Sequence, residues 1–425
     1  MAFDRKDDDL WVEDVAVRAI VEQVGTPFFV YSASVLRERV RAVRGAFDPL
    51  GARVRYAVKA NPNLAVLRLL LAEGCGMDVV SEGELRRALL SGCPGSSICF
   101  AGVSKSEREL RLALGAGRQG EPVGMINVES EGELRLLDRV AAVAGVVADA
   151  LVRVNPEVDA QTHQYTTTGL ADSKFGVEAA RAISIFEDAA RFSRVRLLGL
   201  HAHIGSPIRE PDRYAAAACR LAGVANEIRR RGGAVTVLNC GGGFAHASPA
   251  CAAEPVSAYA AALREALSDE IARGTRLLIE PGRVIAAGAG LLVVGVTHVK
   301  HTKHRSFALC DAGMNAFARP ALYQAAHRVE AVKNREGAAH PIDIAGPLCE
   351  SSDFLARERC LPPVRAGDSI AVFDAGAYGM SMASNYNEHP KPAEVLVDGD
   401  RWAVVRARQT YDDLVRHDQV PDWLS

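Results

Sequence analysis

The sequence predicts an α/β fold: a (β/α)8 TIM-type barrel with a second, mainly β C-terminal domain. Two observations support this prediction. From about residue 33, short β-branched runs alternate with amphipathic stretches at a spacing of roughly 20 to 40 residues. After Pro281 the helix-like stretches give way to strand-like runs with short turns. A chain of 425 residues is long enough for a large barrel and a further domain.

The barrel prediction depends on strand-like runs that precede Pro281 and have helix-like segments between them. The runs cover residues 54–58, 77–80, 98–101, 124–128, 151–154, 197–203, 235–239 and 277–280. Several helix-like segments open with Ser or Asp at a cap position and close on Gly. Eight such units predict a closed barrel with its active site at the carboxyl ends of the strands.

The second domain is predicted from alternating runs in the C-terminal third. They cover residues 291–298, 306–310, 370–373, 393–397 and 402–406, and Asp398-Gly-Asp between the last two is typical of a hairpin turn. We expect the N-terminal residues to complete this domain. The predicted division is therefore a barrel over 34–285 and a β-rich domain formed by 1–33 plus 286–425.

Composition favours an ordinary globular enzyme. The formal net charge is −2, with 48% hydrophobic and 24% charged residues, which gives no basic surface for nucleic acid. The first residues lack the apolar core of a secretory signal, and no run of about 18 apolar residues occurs, so we expect a cytoplasmic protein that does not enter a membrane. The nine cysteines form no C-x-x-C pair, which argues against a structural zinc site.

Lys59 is the first candidate for chemistry. A predicted strand ends on this lysine and an Asn-Pro breaker follows, which puts an amine at the mouth of the barrel. A partly desolvated amine loses its proton and attacks aldehydes, as a Schiff-base lysine must. A solvated lysine at a strand end is the ordinary alternative.

Two further motifs lie on the sixth predicted strand and directly after the seventh. His201 and His203 are two residues apart, so a strand would point both imidazoles to one face. The pair could bind a metal, serve a structural role or contact a cofactor. The further ligands that a barrel metal site needs are not found, and we expect no metal. Gly241–Gly243 let backbone N–H groups converge on a phosphate, although a tight loop without a ligand is the alternative.

The remaining candidates combine charge with turns. Glu280 ends the eighth strand three residues before Arg283: the pair forms either a local salt bridge, or a carboxylate for a pyridine nitrogen and a guanidinium for an anion. Cys349 lies beside carboxylates and suits a proton donor better than a nucleophile, unless it is an inert buried thiol. Further polar groups that could bind phosphate or carboxylate are Arg319, Tyr323 and Tyr378.

Taken in order, these motifs resemble the fold-type III decarboxylases that use pyridoxal 5'-phosphate, and within them the diaminopimelate decarboxylase family. The matching segments are 26–31, 56–61, 78–85, 168–169, 173–176, 201–206, 241–243, 280–283, 311–315, 319–323, 349–353 and 376–386. Three positions depart from the family pattern: Asn239 replaces a usual acidic residue, Pro207 a frequent Gln, and residues 316–318 a common Asp-Leu-Ile.

The resemblance implies a role for each candidate. Lys59 holds the cofactor as a Schiff base, His203 stacks on the pyridine and Glu280 bonds its nitrogen. The expected phosphate ligands are Ser206, Gly241, Gly242, Gly243 and Tyr378, with Gly282 and Arg283 beside them, and the expected supports of the lysine and ring are Asp78, Glu84 and Arg153. The expected substrate ligands are Arg283, Arg319, Tyr323, Glu350 and Tyr378.

The implied reaction is decarboxylation of meso-2,6-diaminopimelate to L-lysine and carbon dioxide, the last step of lysine biosynthesis. By the same resemblance the enzyme is a homodimer with shared active sites, in which Cys349 of the partner subunit returns the proton. A racemase would place an arginine against the ring nitrogen, so Glu280 disfavours that activity. The alternative is a decarboxylase of another basic or carboxy-bearing amino acid, of the ornithine, arginine or carboxynorspermidine type or a specialised relative. A non-enzymatic relative would normally have lost Lys59 or Cys349, and both are present.

Overall fold

The structure is a computed structural model that describes residues 2–115, 122–161, 166, 168–169, 173–248 and 252–424. The chain forms two compact units, Leu36–Ile285 and Met1–Val35 with Ala286–Ser425. The N-terminal elements are β1 (Phe3–Lys6), β2 (Asp9–Val12), β3 (Val15–Ala16), α1 (Val17–Val24), β4 (Phe28–Ser32) and α2 (Ala33–Phe47).

The Leu36–Ile285 unit contains a closed barrel of parallel strands, paired in chain order with the last against the first. The strands are β5 (Ala52–Ala57), β6 (Gly76–Val79), β7 (Ile98–Phe100), β8 (Met125–Val128), β9 (Ala148–Arg153), β10 (Val195–His201), β11 (Val237–Asn239) and β12 (Arg276–Ile279). Every one overlaps a predicted run, so the barrel prediction is confirmed. Strands β6, β7 and β8 are buried at every residue, as parallel strands covered on both faces should be.

Helices follow the barrel strands. They are α3 (Leu64–Ala72), α4 (Glu82–Leu90), α5 (Glu107–Leu114), α6 (Glu131–Ala144), α7 (Ala179–Glu187), α8 (Pro211–Arg230), α9 (Val256–Ala266), α10 (Ser268–Ala272) and α11 (Arg283–Ala286). Serine side chains cap α4, α5 and α6 by accepting the N–H of the third helical residue. Because the strands are parallel and the barrel is closed, the carboxyl ends of β5–β12 lie at one mouth, where the polar side chains that follow these strands meet.

The second unit is mainly β, as predicted. Its C-terminal part contains β13 (Gly290–His301), β14 (Ser306–Cys310), α12 (Arg319–Tyr323), β15 (Val329–Ala331), β16 (His340–Ala345), β17 (Phe354–Leu361), β18 (Ser369–Val372), β19 (Ala393–Asp398), β20 (Arg401–Arg406) and α13 (Tyr411–Val415). The main sheet runs β17-β16-β14-β13-β4-β19-β20, and β18 pairs with both β13 and β15. Strand β4 lies between β13 and β19, so the N-terminal segment completes this sheet.

The apolar core of this unit lies on one face of the sheet and includes Phe28, Val30, Leu291, Val293, Val395 and Val397. The Asp398-Gly-Asp turn joins β19 to β20 in an antiparallel pair, with Gly399 at φ +66°. Strands β15, β16 and β17 were not predicted. In the described ranges, no helix has a stretch long and apolar enough to cross a bilayer.

Candidate active site

Lys59 lies in a short 3-10 turn, Val58–Ala60, just beyond β5 rather than on the strand itself. Its Nζ is 3.5 Å from Oδ2 of Asp78, which is on β6 with a fully buried side chain. Burial, together with the nearby Glu280 carboxylate, raises the pKa of Asp78 well above its ordinary value. The lysine therefore faces a carboxyl group that does not readily ionise.

Glu280 follows β12 and is surrounded by nitrogen donors from three other strands. Asn239 Nδ2 lies 2.6 Å and Asn127 Nδ2 3.3 Å from its Oε1, and His201 Nε2 lies 3.2 Å from its Oε2. Burial alone would raise the pKa of Glu280, but the contacts with His201, Lys59 and Asn239 hold it well below its usual range. The barrel mouth thus contains a buried carboxylate that stays charged.

His203 lies two residues beyond the end of β10. Gly242 N–H donates to its Nδ1 at 3.3 Å, so Nδ1 carries no proton. Burial and the charges of Lys59 and Arg153 lower the pKa of His203 well below its ordinary value. The imidazole is therefore neutral, with its proton on Nε2.

The glycine segment Gly241–Gly243 lies against the backbone of neighbouring loops. A Cβ on Gly242 would overlap the backbone oxygen of Glu280, and φ is +64° at Gly241 and +98° at Gly243. Gly241 N–H donates to Asn239 Oδ1 at 3.1 Å, and Gly242 N–H is used by His203. Two of the three N–H groups therefore have partners within the protein.

A hydroxyl and a guanidinium meet in the same unit. Arg283 Nε donates to Ser206 Oγ at 3.0 Å. A Cβ on Gly282 would lie 3.0 Å from the side chains of Ala57 and Ala60, so the segment after Glu280 packs closely on the Lys59 turn.

The sequence motifs did not single out Glu129, which follows β8. Its Oε1 pairs with Arg153 Nη1 at 2.6 Å, and its Oε2 accepts Gly176 N–H at 2.7 Å. Both side chains of the ion pair are buried, and the Arg153 guanidinium lies 4.6 Å from the centre of the Phe175 ring. Glu129 therefore fixes Arg153, a predicted support of the ring, and the loop that holds residues 175 and 176.

A second buried pair was also missed. Lys105 Nζ lies 2.6 Å from Glu133 Oε1 and donates to the backbone oxygens of Gly102 and Asn127, each at 2.7 Å. The lysine side chain is 1% exposed, so this cation is fully buried where the loop after β7 meets the end of β8.

An internal repeat could have identified Asn127 and Glu133. The segment 77–85, Met-Asp-Val-Val-Ser-Glu-Gly-Glu-Leu, recurs at 126–134 as Ile-Asn-Val-Glu-Ser-Glu-Gly-Glu-Leu. In both copies the glutamate before the final leucine, Glu84 or Glu133, accepts the N–H of the residue before the capping serine, at 2.9 and 3.3 Å. The repeat therefore puts Asn127 at the position on β8 that Asp78 has on β6.

In the mainly β unit, the Arg319 guanidinium lies 5.6 Å from the ring centre of Tyr323 and 5.9 Å from that of Tyr378. Cys349 and Glu350 are exposed between β16 and β17. Within the described residues, no group of three or more His, Cys, Asp or Glu side chains is arranged to hold a metal ion.

Comparison with known proteins identifies the family. Residues 33–287 match the family model described as "Pyridoxal-dependent decarboxylase, pyridoxal binding domain". A diaminopimelate decarboxylase from Pseudomonas aeruginosa is 42% identical over 97% of each chain, and one from Zymomonas mobilis is 40% identical over 99% of each. This chain belongs to the diaminopimelate decarboxylase family.

Solved structures agree with this assignment. A diaminopimelate decarboxylase from M. jannaschii, in co-complex with L-lysine, is 33% identical, with a TM-score of 0.93 and coverage of 100% of this chain and 99% of that one. The chain is a pyridoxal-phosphate-dependent decarboxylase. The groups at the barrel mouth suit this cofactor: a lysine amine, a charged carboxylate for a ring nitrogen, a neutral imidazole, and hydroxyl and guanidinium donors for a phosphate.

Proposed function

We propose that this enzyme decarboxylates meso-2,6-diaminopimelate to L-lysine and carbon dioxide. The likeness to diaminopimelate decarboxylases over 97% of the chain, combined with Lys59 and the charged Glu280 at one barrel mouth, carries the proposal. The M. jannaschii relative, which was crystallised with L-lysine, supports the identity of the product. The alternative is decarboxylation of ornithine, arginine or another amino acid, and a comparison of substrates distinguishes the two activities.

The cofactor would be held by Lys59 through a Schiff base and by Glu280 at the ring nitrogen. Ser206, Arg283, Tyr378 and the N–H of Gly243 would bind its phosphate, whereas the N–H groups of Gly241 and Gly242 have protein partners. When bound, pyridoxal phosphate supplies an electron sink for the pair of electrons that the departing carboxylate leaves behind.

The protein's own groups would divide the remaining work. The Glu280 carboxylate would hold a proton at the ring nitrogen, because three nitrogen donors stabilise its charge. His203, which is neutral, would lie against the ring and would add no competing positive charge. Arg153 would support the ring, and Asp78 would support the lysine.

We propose that the unit formed by residues 1–33 and 286–425 contributes to the active site of the 34–285 barrel. Arg319, Tyr323, Glu350 and Tyr378 would bind the substrate, and Cys349 of the partner subunit would return a proton to the carbon that lost its carboxylate. This arrangement requires a homodimer with shared active sites. A cytoplasmic location likewise stays a prediction.

The reaction is tested by supplying the purified protein and pyridoxal phosphate with meso-diaminopimelate, ornithine, arginine or lysine, and measuring carbon dioxide and amine products. Lys59→Ala should abolish release, whereas Lys303→Ala, at an exposed lysine, should leave it unchanged. Release from diaminopimelate alone is expected. Release of carbon dioxide from another amino acid would refute the assignment of diaminopimelate as the substrate. No release from any of the four would refute the proposed reaction.

Shared active sites are tested by mixing two inactive variants, Lys59→Ala and Cys349→Ala. If each site combines one subunit's lysine with its partner's cysteine, mixed dimers contain one intact site, and about a quarter of the parent activity returns after random reassortment. Mixtures that stay inactive, although the subunits exchange, would refute sharing.

A further inference from the structure

The loop at residues 346–353, between β16 and β17, is tied down at its ends. Asp353 is buried, its Oδ1 accepts Met314 N–H at 2.6 Å, and its Oδ2 accepts Leu348 N–H at 2.8 Å. A side chain on Gly313 or Gly346 would overlap the Asp353 carboxylate. The ends of the loop are therefore fixed by a buried carboxylate that only glycines can approach so closely.

The middle of the loop is exposed, but a second segment holds it. Tyr386 OH donates to Glu350 Oε1 at 2.6 Å, and Asn387 Oδ1 accepts Cys349 N–H at 3.2 Å. Two consecutive residues of one segment thus contact two consecutive residues of the other. Asn387 has φ +52°, a left-handed conformation that asparagine tolerates better than most residues.

The supporting segment is itself anchored. Asn385 Nδ2 donates to His389 O at 3.0 Å and to Gln409 Oε1 at 2.7 Å. Ser384 N–H donates to Asn315 O at 2.8 Å. Tyr386 and Asn387 therefore project from a turn that is held on both sides, and they can fix the orientation of what they bind.

The Tyr386–Glu350 bond has a definite direction. The hydrogen bond and charge of the Glu350 carboxylate raise the pKa of Tyr386, so the phenol keeps its proton and donates it. Among the described residues, no other side chain hydrogen-bonds to this carboxylate. Oε1 is occupied by the phenol, and Oε2 is left for a cation.

We propose that Tyr386 and Asn387 are positioning residues for substrate binding and proton return. Tyr386 orients Glu350 so that Oε2 receives the ammonium group at the far end of the substrate, and Asn387 fixes the backbone from which the Cys349 thiol projects. This inference rests on the proposed function, because it requires a substrate with an ammonium group remote from the reacting carbon.

Tyr386→Phe in the full-length holoenzyme tests whether Tyr386 orients Glu350. The variant loses one hydrogen bond to a charged group, and that group binds the substrate equally in the ground state and in the transition state. We therefore expect KM for meso-diaminopimelate to rise about 10-fold and kcat to stay within about twofold of the parent value. Tyr411→Phe, at a tyrosine 73% exposed, is the matched control. An unchanged KM, or a fall in kcat with KM constant, would refute the role of Tyr386.

A double-mutant cycle separates positioning from general damage. If Tyr386 acts through Glu350, adding Tyr386→Phe to Glu350→Gln should raise KM by less than about twofold more. Additive effects would overturn the inference. If the parent releases no carbon dioxide from diaminopimelate, the proposed function fails instead, and the two failures are distinguishable.

Thiol alkylation tests Asn387 without reference to activity. In Asn387→Gly, which keeps the backbone conformation accessible but removes the acceptor, the alkylation rate at Cys349 should change at least threefold, as measured by peptide mass mapping. Cys360, also exposed, serves as the internal reference. An unchanged rate at Cys349 would refute the role of Asn387.

Discussion

The buried pair of Glu129 and Arg153 makes a quantitative prediction for Glu129→Gln. A glutamine has one oxygen and one NH2 group, yet the two groups that contact Glu129, Arg153 Nη1 and Gly176 N–H, are both donors. One of them must lose its acceptor and face an NH2 group instead. Removing one partner from a buried ion pair costs about 3 kcal/mol or more, because the remaining charge stays desolvated.

For a unit the size of the barrel, about 3 kcal/mol corresponds to a fall in Tm of about 6 to 12 °C. Calorimetry of the protein without added cofactor measures this change. The matched control is Glu131→Gln, two residues away, whose ion pairs with Arg135 and Arg181 involve arginines that are at least half exposed. Such surface pairs contribute about 0.5 kcal/mol each, so losing both should shift Tm by no more than about 4 °C. Equal shifts in the two variants would refute the reasoning.

Three further changes test the barrel. Lys105→Met leaves the buried Glu133 carboxylate without its cation and should lower the free energy of unfolding by about 3 kcal/mol, measured by calorimetry; a loss below about 1 kcal/mol would contradict this. Asn239→Asp puts a carboxylate about 2.6 Å from Glu280 Oε1. Two anions at this distance repel by about 6 kcal/mol at an effective dielectric constant of about 20, so the two carboxyl groups must share a proton. The unfolded chain releases that proton near pH 4, so the variant's Tm should fall further below the parent's at pH 8 than at pH 5, and equal differences would contradict it. Gly199→Ala puts a Cβ into the backbone oxygen of the next barrel strand and should cost about 3 kcal/mol or prevent folding, whereas a stable variant would show that β10 can shift.

Strand alternation and punctuation predicted the barrel because most of its strands are short, largely apolar runs that end in a turn. The same reasoning missed β16 and β17, where charged residues such as Asp343 and Glu358 interrupt the apolar pattern. Asp343 can be buried because its carboxylate pairs with Arg305 and accepts Glu358 N–H. A polar residue with tertiary partners cannot be recognised as a strand residue from its neighbours in sequence.

The candidate site was predictable where a residue type carries its own chemistry, as with Lys59 and Glu280. The partners of those residues were not. Asn127 is an ordinary polar residue in the sequence, and its contact with Glu280 depends on barrel closure, which brings β8 and β12 together. Likewise, the glycine segment predicted free N–H groups, but Asn239 and His203 use two of them.

The environments of Asp78 and Glu280 separate the functions of two carboxyl groups at one mouth. Glu280 receives three nitrogen donors and its pKa is lowered, whereas Asp78 is buried beside that charge and its pKa is raised. Asp78 Oδ2 is 3.5 Å from Lys59 Nζ, so this carboxyl group is the nearest acidic side chain to the amine. The neutral amine is the form that attacks an aldehyde. In the proposed reaction the charge on Glu280 would keep a ring nitrogen protonated, and the same charge helps to raise the pKa of Asp78, the carboxyl group beside Lys59.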